Sequence, residues 1–417
     1  MINIYARYRL CVLLVVVAMV TMQSRPLFAQ AELPRVICDQ LADEDCVLLR
    51  RSRQAMNAVT TAHMHLQTLF QLADMPSIAV NGEAVEIPAL AVEVDVESAY
   101  SFDERTAEQL QTLVGIDQNA MALAAMVAPD SILQLFAGLT AETQIRIRVS
   151  EAVQQWLSAE SGQTFPAEIH LHVLVVENML YIDLQSIAAA IGSLAPPAAW
   201  GVVDLADLWA MPAADAENLR PATVMAFVVG MLMARNDEQL VAYYEDLQKL
   251  RALDRQLAPG RIIRVERGDD QTINGITVNS FTTKVDVRQL ATWVATLVQK
   301  MLDSVGQEPE PEVTVALTMG PSILTGVEST IVAYIEPATA RVHRQESALV
   351  WDFTPFMAMA SLLAGQGGSD FQIESEPGTT PQLILRAETD YDYATPVIVE
   401  TPEDLIPVPL AEVFGRN

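Results

Sequence analysis

Two pairs of histidines stand two residues apart in this chain: His63 and His65 in AHMHLQ, and His170 and His172 in IHLHVL. Imidazole is both a common metal ligand and a common proton shuttle. Two on one face can seed a metal site; two on different faces cannot. His170 and His172 lie in a strand-like stretch, where positions i and i+2 share a face. No acid or third histidine is fixed beside them by spacing, so a place on a sheet surface is the plainer expectation. His63 and His65 fall where Leu48, Ala55, Met56, Val59, Ala62, Leu66 and Leu69 recur at spacings of three, four and seven. That period predicts an amphipathic helix from Val47 to about Leu72. On a helix the two imidazoles point apart, and no metal is expected between them.

Carboxylates are the next candidates. In ALAVEVDVESAYSF, Glu93, Asp95 and Glu97 alternate with Val92, Val94 and Val96. This is the writing of a strand with one wet and one dry face. A straight ladder of acids does not wrap the oxygen shell that Ca²⁺ requires, so a solvated face is expected. A hydrolase with two converging acids is a competing reading, but no dyad stands out in so acidic a chain. There is no Gly-x-Ser-x-Gly elbow, His-Glu-x-x-His, P-loop or dinucleotide fingerprint. Ser280 and Lys284 are four apart on a predicted strand and do not form a Ser-x-x-Lys pair. No catalysis and no cofactor are therefore expected. Cys38 and Cys46 flank a short loop and are expected to form a disulfide, because two thiols are too few for structural zinc.

The elements that must position these groups are mostly strands. Asn274-Gly275 sits between β-forming runs and predicts a tight hairpin joining RIIRVERGDDQ to the long strand Ile276 to Val287. A second turn is expected near Glu177-Asn178 and a third at Pro337-Ala338-Thr339-Ala340. The stretch AETQIRIRVSEA reads as a strand, as do FQIESE, PQLILRAETDYDY and PVIVETPED. Helical patterns interrupt them. One runs through residues 103–139, one begins at Pro221 and is apolar nearly all round, and one spans roughly Arg288 to Val305.

The chain has 417 residues, of which 51% are hydrophobic and 19% charged, ample for a large core. Its formal net charge is -28. Such a surface repels phosphate backbones and anionic headgroups, which argues against nucleic acid and electrostatic membrane docking. Arg7 and Arg9, the apolar run Leu10 to Val20 and Ala29-Gln30-Ala31 read as a cleavable signal peptide, residues 1–31. The run is too short to span a bilayer. Export to the periplasm or the cell exterior is the expectation.

The order of these elements resembles the bacterial lipoprotein-carrier superfamily, the LolA/LolB and LppX/LprG group. The likeness rests on SRQAMNAVTTAHMHLQ, on INGITVNSFTTKVDVRQL and on DYDYATPVIVETPED, and their order covers most of residues 47–405. The chain lacks a lipobox cysteine and carries the extra helical stretch at 103–139. The resemblance implies an α+β fold: a strongly curved antiparallel half-barrel with helices on its concave face. The disulfide is expected in an N-terminal segment at 32–46, ahead of a single half-barrel domain from 47 to 417 with the helical insertion near 103–139. The resemblance further implies binding of a lipid, a lipoprotein acyl chain or another amphiphile in an apolar cavity. Val92, Val94, Val96, Phe227, Met231, Met233 and Phe281 are the expected wall or lid residues. The alternative is an envelope interaction or sensor module of the same fold that carries no cargo.

Overall fold

The computed structural model describes residues 36, 38, 41–80, 83–85, 89–113, 136–161, 164–186, 199–210, 262–292, 295–296, 321–322, 324–355, 357, 371–374 and 380–407. The signal segment, the apolar stretch at 221–234 and the polar helical pattern after it lie outside the described residues.

Helix α1 runs from Asp43 to Asn57. Asp43, Glu44 and Asp45 place negative charge at its positive end, which stabilises the first turn. The predicted helix to Leu72 is not observed. Strand β1, Thr61–Ala73, takes over within four residues. Val59, Thr60 and Thr61 are three β-branched residues in a row, which restrict χ1 in a helix and favour a strand. Beyond them a second period overrides the first. Ala62, Met64 and Leu66 are buried while Thr61, His63 and His65 are only partly so.

The other strands are β2 (Ser77–Val80), β3 (Glu83–Val85), β4 (Leu90–Phe102), β5 (Leu139–Val149), β6 (Glu168–Val176), β7 (Met179–Asp183) and β8 (Trp200–Asp204). They continue with β9 (Ile263–Ile273), β10 (Ile276–Asp286), β11 (Val327–Ile335), β12 (Val342–Asp352), β13 (Phe371–Glu374), β14 (Gln382–Asp392) and β15 (Leu405–Pro407). Short helices α2 (Glu104–Leu113), α3 (Glu151–Ser161) and α4 (Leu205–Ala210) follow β4, β5 and β8.

Twelve strands form one open sheet in the order β15-β8-β7-β6-β5-β4-β1-β14-β12-β11-β10-β9. Every neighbour is antiparallel except β15, which runs parallel to β8. Strands β13, β2 and β3 form a separate small sheet. The first long strand thus lies at the centre, and β14 joins it to the later strands. Among the described helices none is long and apolar enough to cross a membrane.

Turn chemistry sets the hairpins. Asn274 and Gly275 have φ of +50° and +82°, and Glu177 and Asn178 have +50° and +65°. Positive φ at both central residues is the two-residue geometry whose twist matches the flanking strands. The turn after β11 closes with Ala340 at φ +58°, its N–H donating to the Glu336 carbonyl at 2.8 Å. The expected strand PVIVETPED is irregular chain instead. Pro396 and Pro402 carry no N–H to donate to a ladder, and Ile398 is 76% exposed. Only the next residues, Leu405–Pro407, pair. Of the helical stretch at 103–139, α2 is described, with Asp103 accepting the Thr106 N–H at 2.7 Å as its cap. Residues 287–292 turn helical after β10, with Asp286 accepting the Gln289 N–H at 2.8 Å.

Cys38 and Cys46 are joined by a disulfide, with 5.6 Å between their Cα atoms. It ties the preceding segment to the first turn of α1. That helix packs Leu48 and Met56 onto one end of the sheet, in a cluster with Ala62, Met64, Tyr100, Phe281, Val342 and Tyr391.

Candidate functional site

The two faces of the sheet have opposite chemistry. On one, Val92, Val94 and Val96 of β4 point the same way. Phe70, Thr68 and Leu66 stand directly opposite on β1, and Val149, Ile147 and Ile145 on β5. Ile169 and Leu171 extend the row onto β6, and Ala387 onto β14. Leu66, Val94, Val96, Ile145, Ile147, Ile169, Leu171 and Ala387 form one buried cluster. Towards the far end of β1 the apolar face stays partly open. Leu72, Leu383, Trp351 and Val327 form one rung across four strands, and Phe70, Leu385 and Leu349 stand on the next. None of these is fully buried, and Phe70 is 40% exposed. Two polar atoms lie in this apolar setting without a hydrogen-bond partner among the described residues: the Thr68 hydroxyl and the Trp351 indole nitrogen.

The opposite face is a lattice of charges. Arg344 grips Asp390 through two bonds, 2.7 and 3.0 Å, and reaches Glu388 at 2.8 Å. These bonds hold the Arg344 guanidinium above its usual range. Arg148 pairs with Glu93 at 3.1 Å, and Arg146 with Glu168 at 3.3 Å. The Tyr334 hydroxyl is pushed up by burial and by its bond to Glu346. A trough of about 540 Å³ crosses six strands on this side, with Glu93, Asp95, Arg146, Arg148, Glu346 and Arg386 among its walls. Two smaller hollows, about 360 and 220 Å³, flank the histidines.

All four paired histidines stand on this charged face. His65, Glu97, Gln144 and His172 form one unbroken rung across β1, β4, β5 and β6. His172 bonds Glu142 at 2.8 Å and meets Trp200 edge-to-face at 5.0 Å. The His170 ring nitrogen lies 3.2 Å from a Glu168 carboxylate oxygen. The expectation that His63 and His65 point apart is overturned, because they lie on a strand. His65 bonds Asp95 at 3.3 Å. Of the acids of β4, Glu93 and Asp95 are thus held in cross-strand pairs, while Glu97 stands exposed as expected of a solvated face.

The expected wall residues are distributed as follows. Val92, Val94 and Val96 line the apolar face of β4. Phe281 is 1% exposed in the cluster under α1, with the Arg267 guanidinium 5.3 Å from its ring centre. Phe227, Met231 and Met233 lie outside the described residues. Sequence reasoning missed Phe70, Leu72, Leu349, Trp351, Leu383 and Leu385. The alternation Thr68-Phe70-Leu72 was the available signal, masked by the helical period read over it.

No protein-family model matches the sequence, and no curated protein matches it. Among solved structures, LprF from Mycobacterium bovis aligns over 85% of this chain and 95% of its own, at 8% identity and a TM-score of 0.28. A DUF1329 family protein from Desulfovibrio piger aligns over 84% of this chain and 92% of its own, at 6% identity and a TM-score of 0.17. Likenesses this distant carry no functional argument.

Proposed function

We propose that this protein binds the acyl chain of a lipid, a lipoprotein or another amphiphile on the apolar face of a curved, half-barrel sheet, outside the cytoplasm. The observation that supports the reading is the partly open apolar patch formed by Phe70, Leu72, Leu349, Trp351, Leu383 and Leu385. It continues directly into the buried Val94–Val96 cluster. An acyl chain lying there gains about 0.8 kcal/mol for each CH₂ it removes from water. The Trp351 N–H and the Thr68 hydroxyl offer a donor and an acceptor to an ester or amide on the ligand, which relieves the cost of burying them unpaired. The Cys38–Cys46 disulfide fits an oxidising compartment. This reading assigns binding and no catalysis.

Native mass spectrometry of the purified protein, with organic-solvent extraction alongside, tests it. A retained amphiphile, together with saturable binding of a fluorescent fatty-acid probe that Phe70→Glu weakens at least tenfold, is the expected result. A bare protein that shows no saturable probe binding overturns the proposal.

A further inference from the structure

We propose that His65, Asp95 and Glu97 form a binding site for a divalent transition metal, with Zn²⁺ the best fit. Fold and register create the site. His65 of β1 stands directly opposite Glu97 of β4, and Asp95 is two residues back on the same face. One imidazole nitrogen and two carboxylate oxygens lie within 4.8 Å of one another. This is how a flat sheet builds a three-ligand centre: two positions i and i+2 on one strand, one on its neighbour.

Distance supports coordination. Zinc bonds to nitrogen and oxygen are about 2.0–2.1 Å, so two ligands at a tetrahedral angle lie about 3.3–3.4 Å apart. The His65 Nε2 to Asp95 Oδ2 separation is 3.3 Å. A well-formed charged hydrogen bond would be about 2.7–2.9 Å. The spacing of this hydrogen-bonded pair therefore also admits a shared ion, with Glu97 swinging inward to complete the set. The chemistry selects the metal class. An imidazole with two carboxylates suits Zn²⁺ and its first-row neighbours, whereas Ca²⁺ takes six to eight oxygens and gains little from nitrogen.

The surroundings hold the ligands in place. Gln67 donates its amide to Asp95 Oδ2 at 3.3 Å, orienting that carboxylate. Arg146 stands opposite Asp95 and would compete for it, but its guanidinium pairs with Glu168 at 3.3 Å. The His65 side chain is 41% exposed and that of Asp95 25%, so an ion reaches them from solvent. Glu97 borders both smaller hollows, leaving room for water to complete the coordination shell. This inference is independent of the lipid reading, since it concerns the opposite face.

Titration of the full-length protein, stripped with EDTA and desalted, tests the site by calorimetry with ZnCl₂. Spectra with CoCl₂ report the ligand field through visible d–d absorption. One equivalent of Zn²⁺ is expected, with a tenfold or greater loss of affinity in His65→Ala and in Glu97→Gln. His170→Ala leaves affinity unchanged, and CaCl₂ gives no saturable heat. Circular dichroism confirms that each variant is folded. Should His65→Ala fail to fold, the Glu97→Gln titration and its cobalt spectrum carry the test. Absence of saturable Zn²⁺ binding, unchanged affinity in folded His65→Ala or in Glu97→Gln, or loss of binding in His170→Ala overturns the proposal.

Discussion

Met56 and Val342 are 286 residues apart, yet the backbone N–H of Val342 donates to the Met56 sulfur at 3.2 Å. The Tyr393 hydroxyl lies 3.1 Å from the same sulfur and donates to the Val342 carbonyl at 2.5 Å. Burial pushes the Tyr393 hydroxyl far up, so it stays a neutral donor. One side chain of α1 thus pins the helix to the start of β12 and the chain leaving β14. Met56→Ala removes the packing and leaves the Val342 N–H unpaired. A loss of about 2–5 kcal/mol is expected, read from urea unfolding monitored by circular dichroism.

The Asn274-Gly275 turn gives a second expectation. Gly275 has φ of +82°, and a Cβ built there meets nothing within 4 Å. The cost of Gly275→Ala is therefore conformational alone, about 1–2 kcal/mol. A crystal structure of the variant should retain the β9–β10 register while thermal melts shift down.

Arg344 tests how much of the charged face is stabilising. Its two-pronged grip on Asp390 is partly exposed, with 30% of each side chain accessible, so solvent screens it. Arg344→Met should cost about 1 kcal/mol, with most of the coupling revealed by a double-mutant cycle with Asp390→Asn. Raising salt should shrink the difference. Arg344→Lys should recover only part, because an ammonium cannot reproduce the planar fork.

Acid sensitivity follows from the depressed carboxylates. Glu336 is held below its ordinary 4.5, first by the Thr339 hydroxyl and then by His343. Asp103 and Asp392 are lowered from 3.8 by Thr106 and Thr395. A carboxyl more acidic in the folded state stabilises above its unfolded value, and that contribution fades as pH drops through the folded value. Melting temperature should therefore fall below about pH 4.5. Glu336→Gln should fall less steeply over that window while matching its own baseline near neutrality.

Removing the disulfide gives a fifth expectation. Cys38 and Cys46 close a small loop, and replacing both with serine frees it in the unfolded chain. A loss of about 2–3 kcal/mol is expected from loop entropy. The native protein melted with reductant should match the double variant, and without reductant it should melt higher.

Local signals in the sequence were strong where chemistry is local. The Asn-Gly and Glu-Asn turns, the alternation of β4 and the cysteine pair all act over a few residues, and all are in the fold. The stretch from Val59 to Leu72 was ambiguous because Ala62, Leu66 and Leu69 satisfy a helical period while Ala62, Met64 and Leu66 satisfy a strand period. Tertiary pairing decides between them, since β1 is held on both edges, by β4 and β14. That one decision also governed the site. Read as a helix, His65 has no carboxylate facing it; as a strand, it faces Glu97. Pairing partners themselves were not legible, because an alternating strand records which face is dry and not which neighbour it meets.

Strand order has a consequence for biosynthesis. Strands β1 and β4–β8 complete half a sheet, and β9–β12 another; among the described residues β14 alone bonds to both. It spans Gln382–Asp392, so it is translated after every other described strand but β15. Until then β1 has β4 on one edge and lacks its partner on the other. The seam between the two halves cannot form before β14 has been made. The topology works as a timer, delaying the joining of the two halves until their shared strand is delivered.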